Sequence, residues 1–303
     1  MDKPKVIVIC GPTASGKTSL GIKLANRING EIISCDSMQI YKDMDIGTAK
    51  PTLEERNAAK HYLVDFVSPD KRYSVADYKK DAEETIDKII SEGKTPIIVG
   101  GTGLYLNSLV YGIEYPNIET DLKYREELEN RVLAEGLGKL YDEAAEIDPE
   151  AIKKISPNDK KRILRILEIY HATGKTKTEM EIESKKKGVK YDYRIFVLNM
   201  EREKLYDRIN KRVDIMIENG LEEEVRKLIE KYTKFPTAMQ GLGYKEIIEY
   251  FDNKITRDEA IEKIKMESRR YAKRQITWFK SYKNAIWLDA ENENNVDIIL
   301  EEL

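Results

Sequence analysis

The stretch from Gly11 to Thr18 fits the phosphate-binding pattern G-x-x-x-x-G-K-[ST] at every fixed position. An apolar run, Val6 to Cys10, precedes it, and a segment of helical character, Ser19 to Ile28, follows it. A strand, a glycine loop and a helix in this order turn backbone N–H groups inward around a phosphate, and the helix N-terminus adds partial positive charge. The sequence therefore predicts a site for a di- or triphosphate, without saying which compound binds there.

Every residue of this loop is a candidate phosphate contact. Lys17 is expected to reach the terminal phosphate oxygens, and Thr18 is expected to ligate Mg²⁺. The predicted contacts are Gly11, Pro12, Thr13, Ala14, Ser15, Gly16, Lys17 and Thr18.

Further buried strands predict the fold class. Glu31–Cys35 and Thr95–Val99 read as strands, Leu63–Val67 as a possible short one, and Ser74–Glu92 has helical spacing between them. Strands that alternate with helices indicate an α/β fold, here a P-loop core with a parallel sheet and helices on both faces. Ligands of such sheets bind at the carboxyl ends of the strands, so we expect the loops that begin at Gly11, Asp36 and Gly100 to converge.

The strand pattern disappears between about Tyr115 and Lys190. This segment is charged, reads as four helices, and contains Pro149, Pro157 and Gly174 in its short breaks. The sheet pattern resumes at Arg194–Asn199. We therefore expect a catalytic core of residues 1–114 and 191–303, and a mostly helical insertion domain of residues 115–190.

Composition excludes several classes of protein. With 41% hydrophobic and 35% charged residues, the chain has no apolar stretch near the roughly 18 residues that cross a membrane. Because residues 1–5 lead directly into a strand, we expect no signal peptide, no membrane contact and a cytoplasmic location. The two cysteines, Cys10 and Cys35, are expected to be buried apolar residues rather than a disulfide or a zinc site.

Asp36 and Thr102 follow two of the predicted strands and are candidates for chemistry. Asp36 suits a magnesium-ordering carboxylate, a general base, or simply a turn residue. Thr102 lies in a Gly-Gly-Thr-Gly stretch that allows close approach to a ligand, but it also suits a helix cap. Arg208 and Arg212 share one helix face, and either clamp a pyrophosphate or lie on a solvated surface.

Basic residues are concentrated in two segments, although the net charge is −3. Lys153 to Arg165 contains six Lys or Arg, and Lys263 to Lys283 contains eight together with interleaved aromatic residues. Two such clusters in an acidic chain favour binding of a polyanion larger than a nucleotide. Each cluster taken alone also fits a solvated helix face.

Taken together, the motifs resemble the tRNA dimethylallyltransferases, in their bacterial form, over almost the whole chain. The blocks that carry the resemblance are Gly11 to Thr18, Ile33 to Ser37, Ile40-Tyr41, Met44 to Pro51, Val99 to Tyr105, Ser156 to Asp159 with Arg162 and Arg165, Gly241 to Tyr244, and Ala272 to Phe279. The phosphate loop alone is shared by many proteins, whereas these blocks in this order are specific. Residues 179–193 match only loosely.

The resemblance implies transfer of a dimethylallyl group from dimethylallyl diphosphate to N6 of adenosine 37 in tRNA, with Mg²⁺ as cofactor. By resemblance, Asp36 accepts the N6 proton, and Arg212, helped by Thr13 and Lys17, stabilises the departing pyrophosphate. Thr102 contacts the acceptor side. The implied tRNA contacts are Asp36, Ser37, Met38, Gln39, Thr102, Arg125, Lys161, Arg162, Ile163, Leu164, Arg165, Lys273 and Arg274. We expect a monomer.

Three other functions share parts of this pattern. A P-loop kinase of a nucleoside or small metabolite explains the glycine loop but not the two basic clusters. An isopentenyltransferase acting on free adenine nucleotides keeps the core chemistry but needs neither cluster. A non-catalytic RNA-binding NTPase switch needs the loop and the clusters but no base at Asp36.

Overall fold

A computed structural model describes residues 3–115 and 121–303. Within these ranges the strands form one six-stranded sheet in the order β3-β2-β4-β1-β5-β6, and every pair is parallel. The strands are β1 (Lys5–Cys10), β2 (Gly30–Cys35), β3 (His61–Tyr62), β4 (Thr95–Gly100), β5 (Asp192–Asn199) and β6 (Ile286–Asp289). The predicted parallel α/β fold is confirmed. The predicted absence of a leader rests partly on Met1 and Asp2, which lie outside the described residues.

The helices follow the strands as alternating α/β connections require, with additional helices in the middle and at the end of the chain. They are α1 (Lys17–Ile28), α2 (Leu53–Ala58), α3 (Val75–Ser91), α4 (Gly103–Val110), α5 (Leu122–Glu135), α6 (Leu137–Ile147), α7 (Pro149–Ile152), α8 (Lys160–Thr173), α9 (Lys177–Lys186), α10 (Arg202–Glu218), α11 (Leu221–Lys231), α12 (Tyr244–Phe251), α13 (Arg257–Phe279) and α14 (Asn295–Glu301). No helix of the described ranges is both long and apolar enough to cross a membrane.

The chain divides into two compact units. The core unit consists of Met1–Tyr73, Asp77–Leu106 and Lys190–Leu303, and it contains the sheet. The helical unit consists of Ser74–Ala76 and Asn107–Val189. Each unit has its own apolar cluster.

The sheet is apolar on both faces because helices cover both. Along β1, Ile7 and Ile9 pack with Leu24 of α1 and Ile299 of α14, and all four are fully buried. The alternate residues of β1 point to the opposite face and are equally buried. Continuous apolar runs are typical of parallel strands covered on both sides, so the sequence pattern and the observed sheet have one physical cause.

The short strand β3 lies earlier in the chain than the sequence pattern indicates. Residues 63–67 were expected to be extended, but β3 comprises only His61 and Tyr62, which pair with Ile32 and Ile33. Leu63 and Asp65 have φ angles of 57° and 62°, in the left-handed region, and a strand cannot continue through them. That prediction was wrong.

The helical unit has a core that includes two of the predicted tRNA contacts. Ile163 and Leu164 on α8 are fully buried in a cluster with Leu128 of α5 and Leu140 of α6. Their side chains hold the unit together and are not available to an RNA surface. Their predicted contact with tRNA would therefore have to use their backbone atoms, and it stays a prediction.

Candidate active site

The phosphate loop has the backbone geometry of an anion cradle. Ala14 and Gly16 adopt left-handed conformations, with φ of 63° and 91°, and α1 begins at Lys17. Alternating left-handed residues turn successive N–H groups toward one concave side. Within the described residues the hydroxyl of Ser15 is buried with no hydrogen-bond partner. The loop is thus shaped for an anion.

Lys17 and Arg212 place two cations at this loop. The Lys17 ammonium donates to the carbonyl oxygen of Pro12 at 2.6 Å. Burial, followed by the nearby Arg212 charge, lowers the pKa of Lys17 from 10.5 to about 8, although Asp36 opposes the shift. Burial also lowers the pKa of Arg212. An anion bound here would compensate two positive charges that the free protein holds close together.

Asp36 is fixed at the end of β2 by its own loop. Its Oδ1 accepts hydrogen bonds from the backbone N–H of Met38 at 2.8 Å and of Gln39 at 3.2 Å. The carboxylate also interacts electrostatically with Lys17 and Arg212. The turn interpretation and the chemical interpretation of Asp36 are therefore compatible, because the turn orients the carboxylate.

Thr102 ties the loop after β4 to the Asp36 turn. Its Oγ1 accepts from the backbone N–H of Ser37 at 3.0 Å, while its own N–H donates to the carbonyl of Cys35 at 3.0 Å. The Thr102 hydroxyl also forms a hydrogen bond with Tyr271. Burial and the nearby Asp36 charge raise the pKa of that tyrosine. The predicted convergence of the loops after β2 and β4 is therefore present.

Gln275 is a site residue that the sequence analysis did not single out. Its Oε1 accepts from the backbone N–H of Thr13 at 2.8 Å, and its Nε2 donates to the carbonyl of Gly101 at 3.0 Å. A Cβ on Gly101 would lie 2.2 Å from that Nε2, so a larger residue there would displace the Gln275 amide from its hydrogen bonds. Gln275 lies on the buried stripe of α13 with Ala272 and Phe279. A polar residue on an otherwise apolar helix face is the feature of the sequence that could have indicated its role.

Lys50 is a second residue that was missed. Its ammonium donates to the carbonyl of Tyr41 at 2.8 Å and pairs with Asp65 at 2.7 Å and Asp45 at 2.5 Å, while only 1% of its side chain is exposed. Because Asp45 and Lys50 both belong to the loop of residues 36–50, this cluster closes the loop on itself. The sequence shows these charges but not their proximity.

Two cavities meet at Thr13, Asp36 and Arg212, whereas Thr102, the fourth predicted catalytic residue, lines neither. The first, of about 820 Å³, is lined by Lys17 and Thr18 of the phosphate loop, among others. The second, of about 370 Å³, is lined by apolar residues such as Met38 and Tyr244 and by about as many polar and charged ones. The residues that line both are Thr13, Asp36, Thr48, Arg212, Met216 and Tyr271.

The remaining predicted loop residues take different positions. Gln39 lines the first cavity, but its amide donates to the carbonyls of Thr48 and Ala49 at 3.2 and 3.0 Å. Of the phosphate loop, Gly11, Pro12 and Ser15 are buried, and the rest line the first cavity. The cysteines are buried and free, as expected.

The basic residues of α13 differ in whether they have partners. Lys263, Lys265 and Arg270 pair with carboxylates, whereas Lys273 and Arg274 have no carboxylate partner within the described ranges. Arg269 also lacks a carboxylate partner among the described residues and donates to the amide oxygen of Asn210 instead. The two residues that the motif resemblance selects are thus among those of α13 whose charge is not neutralised by a carboxylate.

In the helical unit most of the selected cations are paired. Arg125 and Arg165 both contact Glu168, at 2.8 and 3.3 Å, and Arg162 pairs with Asp159 at 3.3 Å. Lys161 is exposed and has no ion pair among the residues described. The structure therefore brings Arg125 and Arg165 together around one carboxylate.

Comparison with known sequences identifies the family. Residues 39–282 match the model of the family described as IPP transferase. A tRNA dimethylallyltransferase from Acetivibrio thermocellus is 50% identical over 299 residues, which cover 98% of this chain and 96% of the relative. One from Halothermothrix orenii is 50% identical over 289 residues, covering 95% and 88%.

Solved structures agree with the sequence comparison. The tRNA isopentenylpyrophosphate transferase of Bacillus halodurans is 42% identical with a TM-score of 0.74, covering 99% of this chain and 95% of the other. A eukaryotic dimethylallyltransferase acting on tRNA is 33% identical with a TM-score of 0.80, covering 99% and 79%. The resemblance predicted from the motifs is confirmed, and the chain belongs to the IPP transferase family of enzymes.

Proposed function

We propose that this enzyme transfers the dimethylallyl group of dimethylallyl diphosphate to N6 of adenosine 37 in tRNA and releases diphosphate. The observation that carries the proposal is that Asp36 and Arg212 line both cavities. A diphosphate bound at the phosphate loop and a base in the second cavity would meet between these two side chains. Family membership and the names of the relatives support the same reaction.

The leaving group is stabilised by positive charge at the phosphate loop. When the bond between the prenyl carbon and the diphosphate oxygen breaks, its electron pair stays on the oxygen and negative charge develops there. We assign the stabilisation of that charge to Lys17, Arg212 and the inward-facing N–H groups of the loop, which line the first cavity or form its phosphate loop. We assign Thr13 to positioning beside them, since Gln275 fixes its backbone.

The acceptor nitrogen needs a base because its lone pair is delocalised into the adenine ring. As the bond from N6 to the prenyl carbon forms, N6 loses a proton, and we assign that proton to the carboxylate of Asp36. The target base must leave its stack to reach this position. Thr102 contributes by holding the Asp36 turn through the N–H of Ser37.

Magnesium fits the oxygen donors of the first cavity. The hydroxyl of Thr18 at the start of α1 lines it, and oxygen ligands are those that Mg²⁺ prefers, while the Asp36 carboxylate stays available for the N6 proton. Within the described residues no group of three or more His, Cys, Asp or Glu could hold a metal, so diphosphate oxygens and water would complete its shell. When bound, the ion would neutralise diphosphate charge.

We assign the tRNA to basic surfaces on both units. On the core unit these are Lys273 and Arg274, with Ser37 and Met38 at the second cavity. On the helical unit they are Lys161, Arg162, Arg165 and Arg125. The helical unit is then an RNA-binding insertion of a monomeric enzyme, and its exposed cations contact phosphates rather than bases.

One assay separates this reaction from its alternatives. The protein is mixed with dimethylallyl diphosphate labelled in the prenyl group and with unmodified tRNA, with AMP, or, separately, with ATP and no RNA. Label in tRNA at adenosine 37 is the expected result. Label only in AMP would identify an isopentenyltransferase of free nucleotides, and ATP turnover without prenyl transfer would identify a kinase or an NTPase switch.

A further inference from the structure

Glu224, near the start of α11, binds three successive backbone amides of the 36–50 loop. Its Oε2 accepts from the N–H of Asp45 at 2.8 Å and of Ile46 at 2.7 Å, and its Oε1 accepts from the N–H of Gly47 at 3.1 Å. A charged acceptor forms stronger hydrogen bonds than a neutral one. One carboxylate on a helix thus fixes a whole turn of a loop that is 178 residues distant in sequence.

Tyr244, at the start of α12, completes this arrangement. Its hydroxyl donates to Glu224 Oε1 at 2.7 Å, and burial together with Glu224 raises its pKa. Its ring lies against Gly47, where an added Cβ would come within 2.6 Å of the ring atoms. The carboxylate therefore accepts from three backbone amides and one phenol, and the turn has room only for glycine at position 47.

The turn that Glu224 holds is a wall of the first cavity. Ile46 and Thr48 line that cavity, which also contains Lys17 and Arg212, and Thr48 lines the second cavity as well. We propose that Glu224 is a positioning residue for dimethylallyl diphosphate, which keeps the wall of residues 45–48 in place opposite the phosphate loop. This inference rests on the proposed function, because it takes the substrate of the first cavity from there.

The base of the reaction has fixing contacts of its own that do not include Glu224. Asp36 is fixed by the amides of Met38 and Gln39, and the start of its loop is fixed by Thr102. Loss of Glu224 should therefore loosen residues 45–48 and leave Asp36 in place. A contact made equally in the ground state and the transition state affects KM rather than kcat. The expected signature is a higher KM for dimethylallyl diphosphate with kcat nearly unchanged.

The experiment compares Glu224→Ala and Tyr244→Phe with the matched control Glu223→Ala. Glu223 lies on the same helix turn, but among the described residues its ion pairs are with the exposed Arg226 and Lys227, so its loss removes the same helix charge and no contact with the loop. We expect Glu224→Ala to raise the KM for dimethylallyl diphosphate about tenfold, the size of one charged hydrogen bond. Tyr244→Phe should raise it less, and the control should not change it.

Hydrogen exchange of the amides of residues 45–47 gives a readout that is independent of turnover. They should be protected in the wild type and in Glu223→Ala, and they should exchange faster in Glu224→Ala. A lower kcat at unchanged KM, or unchanged exchange in a folded Glu224→Ala, would overturn the inference. If the wild-type enzyme itself transfers no prenyl group to tRNA, the proposed function fails instead, so the two failures are distinguishable.

Discussion

The core unit and the helical unit hold their functional side chains in different ways. In the core unit the site residues are fixed by backbone hydrogen bonds, as Asp36 is by the amides of Met38 and Gln39. In the helical unit the selected cations are held by carboxylates, as Arg125 and Arg165 are by Glu168. The backbone hydrogen bonds of the core unit fix the position of a single functional side chain. The ion pairs of the helical unit instead determine how positive charge is distributed over its surface.

This difference predicts how each unit responds to mutation. A chemical step depends steeply on the position of a few atoms, so single changes around the two cavities should cost orders of magnitude. Binding of a polyanion sums many screened contacts, and a cation that already has a carboxylate partner contributes less to it. Effects in the helical unit should therefore be small and nearly additive.

The largest effect is expected for Asp36→Asn. The amide oxygen can still accept from Met38 and Gln39, so the turn should persist, but the side chain can no longer take up the N6 proton. We expect kcat for prenyl transfer to fall by about 10²- to 10⁴-fold, the range for loss of a general base. Single-turnover transfer to tRNA measures this fall.

Binding of the leaving group is the control for Asp36→Asn. Inorganic diphosphate should bind the variant nearly as well as the wild type in isothermal titration, because the phosphate loop is untouched. A kcat within about threefold of the wild type would remove Asp36 from the role of base.

The second effect is a loss of substrate capture at high pH. Lys17 is charged below its pKa, which burial and Arg212 lower to about 8. As pH rises through 8, the uncharged amine attracts diphosphate less, so kcat/KM for dimethylallyl diphosphate should fall by up to about tenfold per pH unit. Lys17→Arg should remove this pH dependence, whatever its effect on the rate, because the guanidinium stays charged. A flat wild-type profile up to pH 10 would contradict the assignment.

The same lysine should also reduce the stability of the free protein. The pKa of Lys17 in the folded protein, about 8, is below its ordinary value of 10.5. At neutral pH the charged ammonium is therefore less favourable in the folded protein than in the unfolded chain. This penalty is complete below pH 8 and disappears as pH rises to about 10.5. Lys17→Met should therefore raise the melting temperature at pH 7 and have almost no effect at pH 10.5. An equal shift at both values would point to packing instead.

Much of the site was predictable because its signals are local in sequence. The glycine pattern of residues 11–18 and the strand that ends at Cys35 predict where Lys17 and Asp36 lie, since parallel strands end at one edge of the sheet. Ile163 and Leu164 also carried a local signal, because adjacent apolar residues on a helix indicate a core face. The motif resemblance also selects these two residues as tRNA contacts, but their side chains are buried in the core of the helical unit.

The connections between distant segments were not predictable. Gln275 joins Thr13 across 262 positions, and Glu224 joins Ile46 across 178. Their partners are backbone groups, which every residue has, so no side-chain pattern marks them. The neutralisation of Arg125 by Glu168 likewise depends on how α5 packs against α8. The sequence therefore predicts the chemical groups more readily than the contacts that orient them.

The third effect separates two kinds of cation on α13. Lys273 and Arg274 have no carboxylate partner within the described ranges, whereas Arg270 pairs with Glu267 at 2.6 Å. Replacing Lys273 and Arg274 together by alanine should weaken tRNA binding and reduce the slope of log affinity against log salt by about 0.7 to 0.9 for each lost phosphate contact. Arg270→Ala, the matched control, should change the slope less. Equal slopes in all three proteins would mean that this helix does not contact RNA.

The smallest effect should be in the helical unit, at Lys161. This lysine is exposed and without an ion pair among the described residues, while Lys153 nearby in sequence pairs with Glu150 at 2.5 Å. Lys161→Ala should weaken tRNA binding about two- to fivefold and leave the KM for dimethylallyl diphosphate unchanged, since one screened phosphate contact is lost. Lys153→Ala should be close to wild type, because that lysine already has a carboxylate partner. Lys161→Ala could instead lower kcat by orders of magnitude at saturating tRNA. That result would mean that the helical unit positions the acceptor as strictly as the core unit does, and the contrast between the two units would no longer hold.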